Sequence, residues 1–214
     1  MRTSNVATNV RAAESRCRIA VSDLRGFYLH AFGYFEHRTK ELEREIAKTP
    51  PKNSEDESFV GDTFAELKLG KTQSGYLCVL MMFSALERFL QDIHDLIMFL
   101  GTTAELRNVT LYSGQKRLSL DYFKSFFKRL GIDLCTAPYD WASVVRLQQY
   151  RNAIAHQGGM VTESNYRVLS PYGHALGEQI EISLEYVTGT GRLIDQTVTR
   201  FSNNYLVELQ KRNL

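Results

Sequence analysis

The sequence predicts an all-α protein: a bundle of four to five main helices with one small β-hairpin inserted late in the chain. Three observations carry this expectation. Apolar residues recur every three or four positions over long stretches, the period of a helix face. Breaker residues punctuate that pattern at Pro50-Pro51 and at Gly158-Gly159. Strand-like alternation stands out at Ile180, Ile182, Leu184 and Tyr186, with Glu181, Ser183 and Glu185 between them.

Taken in order, residues 1–14 are polar and are expected to fray or to be weakly helical. Cys17, Val21, Leu24, Tyr28, Ala31, Phe35 and Leu42 then mark a long amphipathic helix ending near Lys48, before the proline pair. A polar loop is expected from Pro50 to Ser58. The second long helix is expected to start between Phe59 and Gln73 and to run to Leu100, with Gly70 and Gly75 as possible breaks in its early part. Met82, Leu86, Leu90, Ile93 and Ile97 form its core stripe. Gly101 to Leu118 reads as a loop, and Leu120 to Leu130 as a short aromatic-rich helix.

Trp141, Val144, Val145 and Gln148 open a further helix that ends at the glycine pair, where a left-handed residue can close it. Beyond it, Tyr166 to Ser170 and Gln179 to Val187 read as the two strands of the hairpin, with Pro171, Gly173 and Gly177 between them. By default such a hairpin is only a connection; it can also cover a site or pair with a second subunit. Ile194, Val198, Phe201, Tyr205 and Leu209 close the chain as a last amphipathic helix.

Composition sets the bounds. A length of 214 residues, 43% of them hydrophobic, fits one domain spanning 1–214 around one core. A net charge of +2 neither requires nor excludes nucleic acid. Cys17, Cys78 and Cys135 are odd in number and far apart, which argues for a reducing compartment and against a disulfide framework or a zinc knuckle. With no apolar leader segment, a cytoplasmic location is expected. Tyr76 to Leu100 is the most apolar stretch, but Glu87, Arg88, Asp92, His94 and Asp95 interrupt it, so a buried helix is expected and no membrane association.

The chemistry concentrates in Tyr150-Arg151-Asn152-Ala153-Ile154-Ala155-His156-Gln157. A helix advances about 100° per residue, so Asn152 and His156, four apart, share a face. Arg151 and His156 diverge by about 140°. For one site to use both, the helix end must unwind, Arg151 must reach round, or the two must act across a two-fold axis. Carbonyls at a helix end favour a cation, which suits His156 to proton transfer near neutral pH. Such residues also cap or pack at ordinary helix ends. Asn152 would order the helix end or hold His156.

Arg151-Asn152-x-x-x-His156, late in a helix of an all-helical chain, resembles the signature of the HEPN superfamily, an arginine and a histidine separated by four to six residues. Ser84-Ala85-Leu86-Glu87 on a preceding helix, Trp141 upstream and the closing amphipathic helix extend the resemblance over roughly residues 17 to 210, with the motif its specific part. The resemblance implies a ribonuclease of toxin–antitoxin or antiviral-defence type, acting without a metal or other cofactor as a homodimer, with an antitoxin or defence protein as a further partner. Some members keep the fold without activity, so a non-catalytic RNA- or protein-binding module is the alternative.

Metal-free RNA cleavage needs a base for the 2′-hydroxyl, a cation on the phosphorane oxygens and an acid for the 5′-oxygen. Histidine suits the proton transfers and arginine the phosphoryl oxygens. One histidine per motif leaves a second proton-transfer group missing; the dimer implied by the resemblance would supply it. Glu87 borders the stripe of the second helix, with Phe83 and Gln91 one turn either side. There it forms a structural ion pair, reaches solvent, or orients Arg151. Lys116, Arg117, Lys124 and Lys128 are candidate RNA contacts near Tyr122, Phe123, Phe126 and Phe127, whose rings are expected in the core. Tyr150 and Gln157 could touch substrate. His30, His37, His94 and His174 make no metal set. No dinucleotide fingerprint, phosphate loop, GxSxG, zincin or EF-hand pattern occurs; Gly70-Lys71-Thr72 lacks the earlier glycine of a phosphate loop.

Overall fold

A computed structural model describes residues 2–100, 119–135 and 140–211. These residues are mostly helical: α1 (Arg2–Lys48), α2 (Ser54–Leu100), α3 (Leu120–Arg129), α4 (Trp141–Gln157), α5 (Glu163–Leu169) and α6 (Leu184–Lys211), with one 3-10 turn at Ser170–Tyr172. No helix among the described residues is long and apolar enough to cross a membrane. The loop expected at Gly101 to Leu118 lies outside the described residues, with Leu118 the last residue of that gap.

Local chemistry explains each boundary. Helix α1 ends at Lys48, ahead of the proline pair. It begins at Arg2, and Val6, Val10 and Ala13 are buried, so the opening residues are ordered by packing and not frayed. Helix α2 starts at Ser54, earlier than expected. The Asn53 side chain accepts from the Asp56 amide at 2.8 Å, and the Asp56 carboxylate accepts from the Lys52 amide at 3.1 Å. Ser119 caps α3 by accepting from the Tyr122 amide at 3.1 Å.

The expected hairpin is not what these residues build. Tyr166 to Ser170 lies in α5 and the 3-10 turn, because the Thr162 amide donates to Asn165 Oδ1 at 2.8 Å and opens a helix. Gln179 to Val187 splits in two. Ile180 and Ile182 are buried on an extended segment, and then Ser183 accepts from the Tyr186 amide at 3.0 Å and starts α6. Strand-like pairing survives as one antiparallel bridge between Met160 and Gln179.

The chain divides into two compact units. The first comprises Met1–Val21, Met82–Gln148 and Gly191–Leu214. Its core is aromatic: the Phe201 ring lies 5.8 Å from that of Phe89 and 4.6 Å from that of Phe127, both edge-on. Phe123, Phe126 and Phe127 are buried, as expected for core rings.

The second unit comprises Ser22–Met81 and Gln149–Thr190. Two tyrosines hold its extended segment: Tyr28 donates to the Ile182 carbonyl at 2.8 Å and Tyr76 to the Ile180 carbonyl at 2.7 Å. Gly70 and Gly75 lie inside a continuous α2 and break nothing. Their missing side chains admit neighbours: a Cβ on Gly75 would sit 2.9 Å from Ile182, and one on Gly70 would sit 2.6 Å from the Phe35 ring.

Candidate functional site at the end of α4

Helix α4 keeps its helical hydrogen-bonded form through Gln157, so Arg151, Asn152 and His156 occupy its last two turns. Gly158 and Gly159 both adopt left-handed conformations, with φ of 61° and 81°. The Gly159 amide donates back to the Ala153 carbonyl at 3.1 Å, which satisfies one of the open carbonyls of the helix end. A Cβ on Gly159 would lie 2.1 Å from the Tyr76 hydroxyl, so only glycine fits beneath that ring. Directly after the turn, the Gly159 carbonyl accepts from the Ile180 amide at 2.8 Å.

The three motif residues divide by environment. His156 is exposed, and its ring makes no side-chain hydrogen bond among the described residues. Arg151 and Asn152 are half-buried, and Arg151 Nη1 donates to Asn152 Oδ1 at 2.9 Å. Asn152 therefore engages Arg151. This bond draws the guanidinium towards the azimuth of Asn152, which His156 shares at four residues' separation.

Tyr150 is buried, and its hydroxyl pairs with His174 Nε2 at 2.7 Å, so it is anchored and not open to a ligand. His174 Nδ1 lies 3.4 Å from Glu178, whose other oxygen accepts from the Ala175 amide at 2.7 Å. That backbone bond is the first reason the Glu178 carboxyl sits below its ordinary range. Gln157 is half-buried, its Oε1 accepting from Asn165 at 3.2 Å.

Sequence reasoning missed Asn165. It is buried; its amide nitrogen donates to Gln157 and, at 3.0 Å, to the Met160 carbonyl, while its oxygen accepts from Thr162. One side chain thereby ties the end of α4 to the start of α5. The signal was Thr162-x-x-Asn165, a helix-opening pattern hidden by reading the segment as strand.

Glu87 is half-buried on α2 and belongs to the first unit, whereas Arg151 belongs to the second. Lys124 is half-buried and Lys128 exposed on α3, the latter 3.2 Å from Asp133. Lys116 and Arg117 lie outside the described residues. His94 is a core histidine, bonded to Tyr122 and Asp95 at 3.0 Å each. Among the described residues no cluster of three or more His, Cys, Asp or Glu is arranged to hold a metal ion. Compared with protein-family models, with curated proteins and with solved structures, the chain finds no match.

Proposed function

We propose that the chain is an endoribonuclease of the toxin or antiviral-defence type, cleaving RNA without a metal as a homodimer. The observation that supports this reading is the arrangement at the end of α4: an exposed His156, with the Arg151 guanidinium bonded to the side chain that shares its face. In the proposed reaction one His156 takes the proton of a 2′-hydroxyl, whose oxygen attacks the adjacent phosphorus. Arg151 neutralises charge on the phosphorane oxygens through its planar fork. The second protomer's His156 protonates the departing 5′-oxygen. The products are a 2′,3′-cyclic phosphate and a 5′-hydroxyl.

The test is cleavage of mixed RNA in EDTA by wild type, Arg151→Ala and His156→Ala, each checked for folding and dimerisation. Removing a positioned acid–base group costs about 10²- to 10⁴-fold, and removing a charge-stabilising donor about 10²- to 10³-fold. Losses of that size with cyclic-phosphate ends support the reading. Equal cleavage by His156→Ala and wild type would sink the mechanism.

The alternative is a non-catalytic module that binds RNA or a protein. The anchoring of the helix end by Tyr76, Asn165 and the glycine pair favours it, since a structural role needs the same bonds. Absence of cleavage, with His156→Ala less stable than wild type, selects it. Growth toxicity on expression, without bulk RNA cleavage, selects instead a toxin restricted to one RNA and held by an antitoxin.

A further inference from the structure

The charge of the chain is unevenly divided. The segments of the first unit hold 16 of the 26 Lys and Arg residues but only 10 of the 24 Asp and Glu residues. The motif lies in the other, acidic unit. Within the first unit, two arginines from different helices grip one carboxylate: Arg16 Nη2 on α1 lies 2.9 Å from Asp92 Oδ2, and Arg88 Nε on α2 lies 2.8 Å from Asp92 Oδ1.

The exposures decide what this triad can do. The Asp92 side chain is 17% exposed, while those of Arg16 and Arg88 are 64% and 78% exposed. Each guanidinium has five N–H donors and spends few of them on Asp92. The two forks hold opposite oxygens of one carboxylate, so the triad carries one net positive charge and both guanidinium groups stay largely exposed to solvent. That arrangement matches phosphodiester oxygens, which planar guanidinium groups bind bidentately. Close by in sequence, Arg11 and Arg18 flank the buried Glu14, at 2.6 and 3.7 Å, and remain half exposed.

We infer that the Arg16–Asp92–Arg88 clamp is a phosphate-backbone contact of a nucleic-acid surface on the first unit, remote in sequence from the motif. This inference rests on the RNA reading above and names where the chain grips its substrate without reading bases.

The test uses the full-length His156→Ala chain, so that RNA is bound and not cut, with a fluorescein-labelled oligouridylate followed by anisotropy over a range of salt. Each lost phosphate contact lowers the slope of log K against log salt by about 0.7 for a single strand. Arg16→Gln/Arg88→Gln removes the clamp's phosphate contact and is expected to lower the slope by about 0.7 and to weaken binding at low salt. Asp92→Asn removes the competing carboxylate and is expected to tighten binding, so the two variants move oppositely. Arg38→Gln/Arg44→Gln, in the acidic unit, is the control and leaves binding unchanged. Unchanged slope in the clamp variant, or loss of binding in Asp92→Asn with its helicity intact, overturns the clamp while leaving the nuclease reading standing. If wild type and His156→Ala bind no oligouridylate, the clamp falls; the nuclease reading is judged separately by EDTA cleavage of mixed RNA.

Discussion

At the scale of single residues, the end of α4 is held by steric necessity more than by its polar groups. Gly159 needs both a left-handed backbone and the absence of a side chain beneath Tyr76, whereas a Cβ on Gly158 would meet nothing. Gly158→Ala should therefore cost only backbone strain, about 1 kcal/mol. Gly159→Ala should cost that strain plus overpacking, about 2–4 kcal/mol together. Urea unfolding of the two variants checks the ranking; equal losses would show that Tyr76 moves aside freely. His156 contributes little to this anchoring, so His156→Ala should unfold within about 0.5 kcal/mol of wild type if the catalytic reading holds.

At the scale of elements, caps outvote periodicity. The residues from Ile180 to Tyr186 alternate like a strand, yet Ser183 turns the second half into the first turn of α6. Ser183→Ala should cost about 0.5–2 kcal/mol and fray that turn. Amide exchange at Leu184 to Val187 reads it directly; unchanged protection would mean that packing alone holds the start of α6. Helix α4 has a comparable opening. Asp140 accepts from Ser143, and those bonds keep its carboxyl below the ordinary value of 3.8. Its contribution is present at neutral pH and is lost as pH falls through that lowered value.

At the scale of the whole molecule, buried acids set an alkaline limit. Burial first, and then neighbouring charge, pushes the Cys17 thiol up to about 12 and the Tyr28 hydroxyl up to about 12, and burial lifts the Cys78 thiol to about 11. Ordinary values are 9.0 for cysteine and 10.0 for tyrosine. A folded value above the unfolded one means that the fold favours the neutral form. The stabilisation is complete below about pH 9 and disappears as pH rises towards 11 and 12. Thermal melts from neutral pH upward should show a falling Tm above pH 9, and a flat Tm through pH 11 would contradict it. Under native conditions, exposed Cys135 should react with a thiol reagent while buried Cys17 and Cys78 do not.

Much of this was legible because the signals are local. Helical periodicity, Pro50-Pro51 after Lys48 and the glycine pair after Gln157 act within one or two turns, so the all-α class, the limits of α3 and the end of α4 could be read directly. The types and spacing of Arg151, Asn152 and His156 could be read in the same way. Which partner each would choose could not, since Asn152 takes Arg151 only once the side chains are placed in space. Nor could the division into two units, the Asp92 clamp, the seat of Tyr76 over Gly159, or the anchor Asn165. Those contacts join residues from different helices or turns. They are decided by packing and by the need to pair buried polar groups, which depend on the whole arrangement and not on any one stretch of chain.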